Sequence, residues 1–123
     1  MAAIRVKWAA GEVRATLRDT PTTDQLLRAL PLTARANVWG DEVYFRLPFS
    51  AEAEADAADV VDRGTVCFWL DGDSLALLFG PTPVSRANEC RLISAANVLG
   101  QIDSNPEVLR SVRGGETIRV EVA

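Results

Sequence analysis

The clearest hairpin in the chain is Thr65-Val-Cys-Phe-Trp-Leu-Asp-Gly-Asp-Ser-Leu-Ala-Leu-Leu-Phe79. Two apolar segments flank Asp71-Gly72, a dipeptide that favours a type I′ turn between antiparallel strands. In the first segment Cys67 and Trp69 alternate with Val66, Phe68 and Leu70, so the two sets face opposite sides of a sheet. The hairpin therefore predicts a protein built on antiparallel strands.

The hairpin runs directly into the loop Gly80-Pro-Thr-Pro-Val-Ser85. A proline fixes its own φ and keeps the residue before it out of the helical region, so Pro81 and Pro83 predict a rigid, extended loop. Such a loop suits the rim of a binding site. It is also an ordinary way to end a strand.

Short alternating segments on both sides of this hairpin predict further strands with one buried face. Two short helices are predicted as well: Thr22-Thr-Asp-Gln25 matches a capping box before a helix that ends at Pro31, and Ser104-Asn-Pro-Glu107 begins the other. Eight or so short strands with only two short helices favour an antiparallel barrel over a parallel α/β sheet. The further strands are predicted within residues 4–8, 13–17, 32–38, 43–47, 91–102 and 118–122.

Length and charge limit the range of functions. The chain has 123 residues, of which 48% are apolar, so residues 1–123 are predicted to form a single domain with its own core. Its net charge of -4 argues against binding to nucleic acid or an anionic membrane, since both require an excess of Lys and Arg. The alternating amino-terminal segment indicates a strand and not a signal peptide. We therefore expect a cytoplasmic protein in which Cys67 and Cys90 are reduced.

The sequence contains no histidine. This excludes His-activated nucleophiles and most transition-metal sites, and no metal or cofactor is predicted. The segment from Ala51 to Asp62 is acidic, but it lacks the carboxylate spacing and the glycine turn of a calcium loop. It is predicted to be a solvated connection.

Three strings, in this order and spacing, resemble a family of short prokaryotic proteins called cyclophilin-like: Trp39-Gly-Asp-Glu-Val-Tyr-Phe45, Gly80-Pro-Thr-Pro-Val-Ser85 and Asn97-Val-Leu-Gly100. The resemblance extends over nearly the whole chain, including Thr20-Pro-Thr-Thr23 and Glu107-Val-Leu-Arg-Ser-Val112. It implies a mostly β fold, a closed antiparallel eight-stranded barrel of the cyclophilin type. The biochemical role of that family is largely unassigned.

True cyclophilins isomerise X-Pro bonds with an Arg beside the proline nitrogen and an apolar pocket for the ring. If this chain shared that activity, the resemblance would make Arg46 the catalytic guanidinium, since it has the strand parity of Tyr44. The sequence departs from the cyclophilin pattern, however, because it has no Phe-His-Arg string and no pocket histidine. Isomerase activity is therefore an alternative to the main hypothesis, which is binding without catalysis.

The binding hypothesis starts from strand parity. Tyr44, Arg46 and Trp69 are predicted to face away from the core, and Trp39 follows the same parity. Outward aromatic and Arg side chains are enriched where proteins hold ligands. Alternatively, these residues pack beneath the acidic 51–62 connection or beneath a helix.

The 80–86 loop supplies the other half of the predicted site. Thr82 and Ser85 offer hydroxyls, with Arg86 and Arg91 nearby in sequence, for a carboxylate or amide ligand. Alternatively, the two hydroxyls satisfy the loop's own backbone. We expect a small molecule or peptide as the ligand. The third alternative is that the protein is an interaction or assembly subunit, for example one that forms a homodimer. The candidate ligand-binding residues are Trp39, Tyr44, Arg46, Trp69, Phe79, Pro81, Thr82, Pro83 and Arg86.

Overall fold

The computed structural model describes all residues, 1–123, as ten strands, one α-helix and one 3₁₀ helix. Neither helix has the length and apolar character that crossing a membrane requires. The strands are β1 (Ala2–Trp8), β2 (Gly11–Leu17), β3 (Leu32–Arg35), β4 (Asn37–Trp39), β5 (Glu42–Arg46), β6 (Ala58–Val61), β7 (Thr65–Trp69), β8 (Ser74–Leu78), β9 (Cys90–Ile102) and β10 (Thr117–Val122); the helices are α1 (Pro21–Ala29) and a 3₁₀ helix (Pro106–Ser111).

All strands belong to one antiparallel sheet in the order β3-β10-β1-β2-β9-β7-β8-β5-β4, with β6 paired to β9. The mostly β, antiparallel prediction is confirmed, but the count of eight strands is wrong. The predicted strand 32–38 changes partner at Ala36, so that β3 pairs with β10 and β4 pairs with β5. The tenth strand, β6, forms within the acidic connection.

Closure of the barrel is not confirmed. The hydrogen-bonded ladder ends at β3 on one side and at β4 on the other, and no pairing joins these two strands. They are nevertheless consecutive in the chain, with only Ala36 between them. The ends of the sheet are therefore connected through the backbone and not through a ladder.

The sheet is buried on both faces around β7 and β8. Its inner face contributes Val66 and Phe68 to a main core of 22 buried side chains. Its outer face carries a smaller buried group, which we call the outer cluster: Cys67, Ala76, Leu78, Cys90, Leu92 and Ala96. Because β8 faces apolar side chains on both sides, all five of its residues are buried, which explains the apolar run that follows Ser74.

The turn of the central hairpin differs from the prediction. Trp69 pairs with Ser74, so the connection has four residues and not the two of a type I′ turn. The residue with positive φ is Asp73, at 49°, and not Gly72. Gly72 is instead needed for space, because a Cβ there would lie 2.1 Å from Cζ3 of the Trp69 ring.

The first helix begins earlier than the capping box predicted. Its N-cap is Thr20, whose Oγ1 accepts a hydrogen bond from the backbone N–H of Thr23 at 3.1 Å. Thr22, predicted as the cap, is a buried helical residue. The second helix begins at Pro106 after the N-cap Asn105, as expected, but it is a 3₁₀ helix.

The acidic connection is anchored as well as solvated. Asn97 of β9 is fully buried, and its Nδ2 donates to Glu52 O at 2.8 Å and to Thr22 Oγ1 at 3.0 Å. Its Oδ1 accepts from the Glu54 N–H at 2.9 Å. One side chain of β9 thus holds both α1 and the start of the 51–62 segment.

We expect Asn97→Ala to lower the free energy of unfolding by about 2 to 4 kcal/mol, because three hydrogen bonds are lost and buried polar groups are left without partners. Urea denaturation followed by circular dichroism measures this loss. Asn88→Ala is the matched control, since Asn88 is exposed. Equal midpoints for the two variants would contradict the anchoring role of Asn97.

Candidate functional site

A pocket of about 150 Å³ opens on the outer face of the sheet, beside the outer cluster. Strands β4, β5 and β7 and the first half of β9 form its walls. Five of its six lining residues are hydrophobic. We call it the outer pocket. Its lining residues are Trp39, Glu42, Tyr44, Trp69, Leu92 and Ile93.

Strand register brings these side chains together. Trp39 lies opposite Glu42 in the β4–β5 hairpin, and Tyr44 pairs with Ala76 in the next ladder. Side chains two residues apart on a strand share a face, so Glu42 and Tyr44 point outward while Val43 and Phe45 fill the main core. The structure therefore places Trp39, Tyr44 and Trp69, three of the predicted site residues, in one pocket.

The aromatic walls are held in position. The rings of Tyr44 and Trp69 meet edge to face, with centroids 5.9 Å apart and planes at 77°. Trp69 Nε1 donates a hydrogen bond to Ser94 Oγ at 2.8 Å, and Ser94 Oγ donates to Asp71 Oδ2 at 2.6 Å. Two rings at nearly a right angle form a corner that a small ligand can occupy.

Glu42 is the one ionisable group of the pocket with a strongly altered environment. The residue is only 4% exposed, and its Oε1 is buried without a hydrogen-bond partner. Burial raises the pKa of the Glu42 carboxyl from 4.5 to about 7. Glu42 lies outside the strand predicted within residues 43–47, but it is the first residue of β5, and the turn before it consists of Gly40 and Asp41.

Cys67 lies beneath the pocket in the outer cluster. Complete burial raises the pKa of the Cys67 thiol, and the charge of Glu42 raises it further. A thiol in this environment stays protonated and unreactive. The outer pocket therefore contains one carboxyl group and no nucleophile. No group of three or more His, Cys, Asp or Glu side chains is placed to hold a metal ion.

The 80–85 loop supports the pocket without lining it. Pro81 O accepts a hydrogen bond from the Asp41 N–H at 2.9 Å, which ties the loop to the turn between Trp39 and Glu42. The Thr82 N–H donates to Ser85 Oγ at 2.9 Å, and Thr82 Oγ1 donates to Arg91 O. The hydroxyls of Thr82 and Ser85 therefore form hydrogen bonds with backbone groups of the loop and of Arg91, which was the alternative to a role in ligand binding.

The remaining predicted site residues lie elsewhere. Arg46 is at the far end of β5, with 78% of its side chain exposed and its guanidinium 3.7 Å from Asp73 Oδ2. Phe79 is buried in the main core, beneath the guanidinium of Arg110. Pro83 and Arg86 are exposed on the loop.

Sequence reasoning missed Glu42, Leu92 and Ile93. The last two lie in the first half of β9, which continues beyond its pairing with β7 and pairs with β6. Nothing in a single sequence shows where a 13-residue strand changes partner. For Glu42, its two-residue spacing from Tyr44 was the available signal.

The sequence matches the Cyclophilin-like family over residues 2–121. This chain belongs to that family. The solution structure of the hypothetical protein AF2241 from Archaeoglobus fulgidus shares 37% identity and superimposes with a TM-score of 0.86, covering 99% of this chain and 95% of that one. No curated protein sequence matches the chain.

A more distant likeness concerns the fold alone. The structure of McbB in complex with tryptophan has a TM-score of 0.65 at 19% identity and covers 96% of this chain. The chain spans 44% of the length of McbB. The Cyclophilin-like domain therefore corresponds to about half of that larger protein.

The raised pKa of Glu42 predicts how stability depends on pH. The folded protein keeps the carboxyl proton up to about pH 7, whereas the unfolded chain releases it near 4.5, so ionising Glu42 destabilises the fold as pH rises between these values. The full difference corresponds to about 3 kcal/mol. Glu42→Gln removes this penalty, so we expect the variant to be more stable than the wild type at pH 8 and nearly equal to it at pH 4.

Thermal unfolding of both proteins across this pH range tests the prediction, and their difference isolates Glu42 from the other carboxyl groups. Glu52→Gln, at an exposed position, controls for the change in net charge. A difference between Glu42→Gln and wild type that does not vary with pH would contradict it.

Proposed function

We propose that this protein binds a small molecule, or one end of a larger molecule such as a peptide, in the outer pocket. The observation that carries the proposal is the buried Glu42 carboxyl, whose Oε1 has no partner within the chain. Buried polar atoms without partners are rare and costly, because water is removed and nothing replaces its hydrogen bonds. A bound ligand would supply the missing partner.

The size of the pocket limits what it can enclose. Its volume of about 150 Å³ resembles that of an apolar cavity that accepts benzene. Pockets for drug-sized ligands measure about 300–1,000 Å³, so a whole nucleotide cofactor would not fit. Ile93, which lines the pocket, is 59% exposed, so a larger ligand could continue past it along the surface.

The pocket is also preorganised. Its side chains project from strands, and hydrogen bonds hold Trp69 on one side and the Gly40–Asp41 turn on the other. A site that is already ordered loses little conformational entropy when a ligand binds. This favours recognition of a small ligand that makes few contacts.

The isomerase alternative receives less support. It requires Arg46 beside an apolar pocket, yet the Arg46 guanidinium is paired with Asp73 and is not among the lining groups of the outer pocket. None of the residues that line the pocket is a cation that could contact a proline nitrogen. Binding without proline isomerisation is the function that this geometry favours.

Trp39→Leu tests the proposal. Trp39 is half-buried at the pocket wall and outside both apolar clusters, so the variant should fold while losing aromatic contact area. In a fragment screen by two-dimensional NMR, we expect hits to shift the signals of Tyr44, Trp69 and Ile93 in the wild type. We expect Trp39→Leu to weaken the best hit at least tenfold, about 1.4 kcal/mol.

Val38→Ala is the matched control, since Val38 is an exposed neighbour that does not line the pocket. It should bind the same fragment with unchanged affinity. A screen with no hits at these residues, or equal affinity in Trp39→Leu and Val38→Ala, would rule out the outer pocket as the binding site.

A further inference from the structure

We propose that the group bound in the outer pocket is a compact organic cation, an alkylammonium or quaternary ammonium, with Glu42 as its counter-charge and Trp39, Tyr44 and Trp69 as its aromatic walls. This inference rests on the proposed function and names the chemistry of the ligand. The charges, the aromatic groups and the size of the pocket support it.

Glu42 has no positive charge beside it. No Lys or Arg pairs with its carboxyl, and burial is the sole cause of its raised pKa. The other charged groups nearby are already paired: Asp41 Oδ1 lies 2.9 Å from Arg110, and Arg91 lies 2.6 Å from Glu89 and 3.2 Å from Asp59.

The elements packed around Glu42 add no unpaired cation. Arg46 lies at the far end of β5 beside Asp73, and Arg91 of β9 is held by its carboxylate partners. Tyr44, Cys67 and Cys90 carry no positive charge. The neighbouring residues of β8 are apolar. A buried carboxylate is stabilised when an opposite charge approaches it in a water-poor site, and here only the ligand can supply that charge.

The aromatic walls of the pocket favour an organic ammonium ion over a metal ion. Trp and Tyr attract cations through their ring faces, Trp most strongly, and such groups recognise quaternary ammonium ligands. Methyl or methylene groups on the nitrogen would also pack against Leu92 and Ile93. A metal ion would not suit the site, because calcium and magnesium require about six or more oxygen ligands and one carboxyl offers two.

The size of the pocket limits the bound cation to a compact group. A cavity of about 150 Å³ accepts a group of benzene size, which matches a trimethylammonium or a short branched alkylammonium group. A larger cationic ligand, such as a long polyamine, could place only one end in the pocket. We therefore assign the pocket to the head group and leave the remainder of the ligand at the exposed Ile93 side.

The test compares choline with 3,3-dimethylbutan-1-ol, its neutral carbon isostere, by NMR titration of the full chain. The two compounds have nearly the same shape, so their difference reports the charge. We expect choline to bind at least tenfold more tightly than the isostere at pH 8. We expect its affinity to rise about tenfold from pH 6 to pH 8 as Glu42 loses its proton, and that of the isostere to stay constant.

Glu42→Gln should abolish the preference for choline and its pH dependence, whereas Glu52→Gln should preserve both. Equal binding of the two compounds, unaffected by pH or by Glu42→Gln, would overturn the cation inference while the proposed binding function stands. The cation inference is also overturned, and the binding function again stands, if neither compound shifts the pocket signals but neutral fragments do. If neither these compounds nor any fragment binds there, the proposed function fails as well.

Discussion

Burial of the central sheet on both faces is the constraint on which the rest of the structure depends. The inner face of β7 and β8 belongs to the main core, and their outer face would expose Cys67, Ala76 and Leu78 if nothing covered it. The first half of β9 and β6 provide that cover: Leu92 belongs to the outer cluster, and Val61 packs against it. The outer pocket lies where this cover ends and the aromatic side chains of β4, β5 and β7 begin.

A second contact determines the shape of the pocket wall. Gly40 adopts a φ of 58°, and a Cβ there would lie 2.9 Å from both Pro83 Cδ and Thr82 Cα. The tight turn can therefore dock on the proline loop only with glycine at this position. This explains physically why Trp39-Gly-Asp-Glu42 and Gly80-Pro-Thr-Pro83 occur together in one chain: the loop braces the turn that carries Trp39 and Glu42.

Much of this could be predicted from local patterns, and the failures have identifiable causes. Alternation placed Trp39, Tyr44 and Trp69 on one outer face, because the side-chain period of a strand is a local property. Arg46 shares that parity but lies two residues beyond Tyr44, outside the pocket. Parity specifies the face of a sheet and not the position along the strand. The predicted strand 43–47 begins one residue too late and omits Glu42, because Asp41-Glu42 after a glycine is a polar pair typical of a turn. The partner change within β9 depends on long-range pairing that no local pattern reveals.

Glu42 also shows how a stable fold can hold a costly group. Ionisation of its carboxyl works against folding near neutral pH, and a glutamine of nearly the same shape would avoid this penalty. The strands that bury it gain far more from the two apolar clusters than this single carboxyl costs, so the fold tolerates it. A cation bound beside Glu42 would lower the carboxyl pKa again and regain that lost stability as binding energy. Under the proposed binding of a cation, ligand affinity and stability would be coupled at one residue, and the same burial that weakens the empty protein would strengthen its hold on a charged ligand.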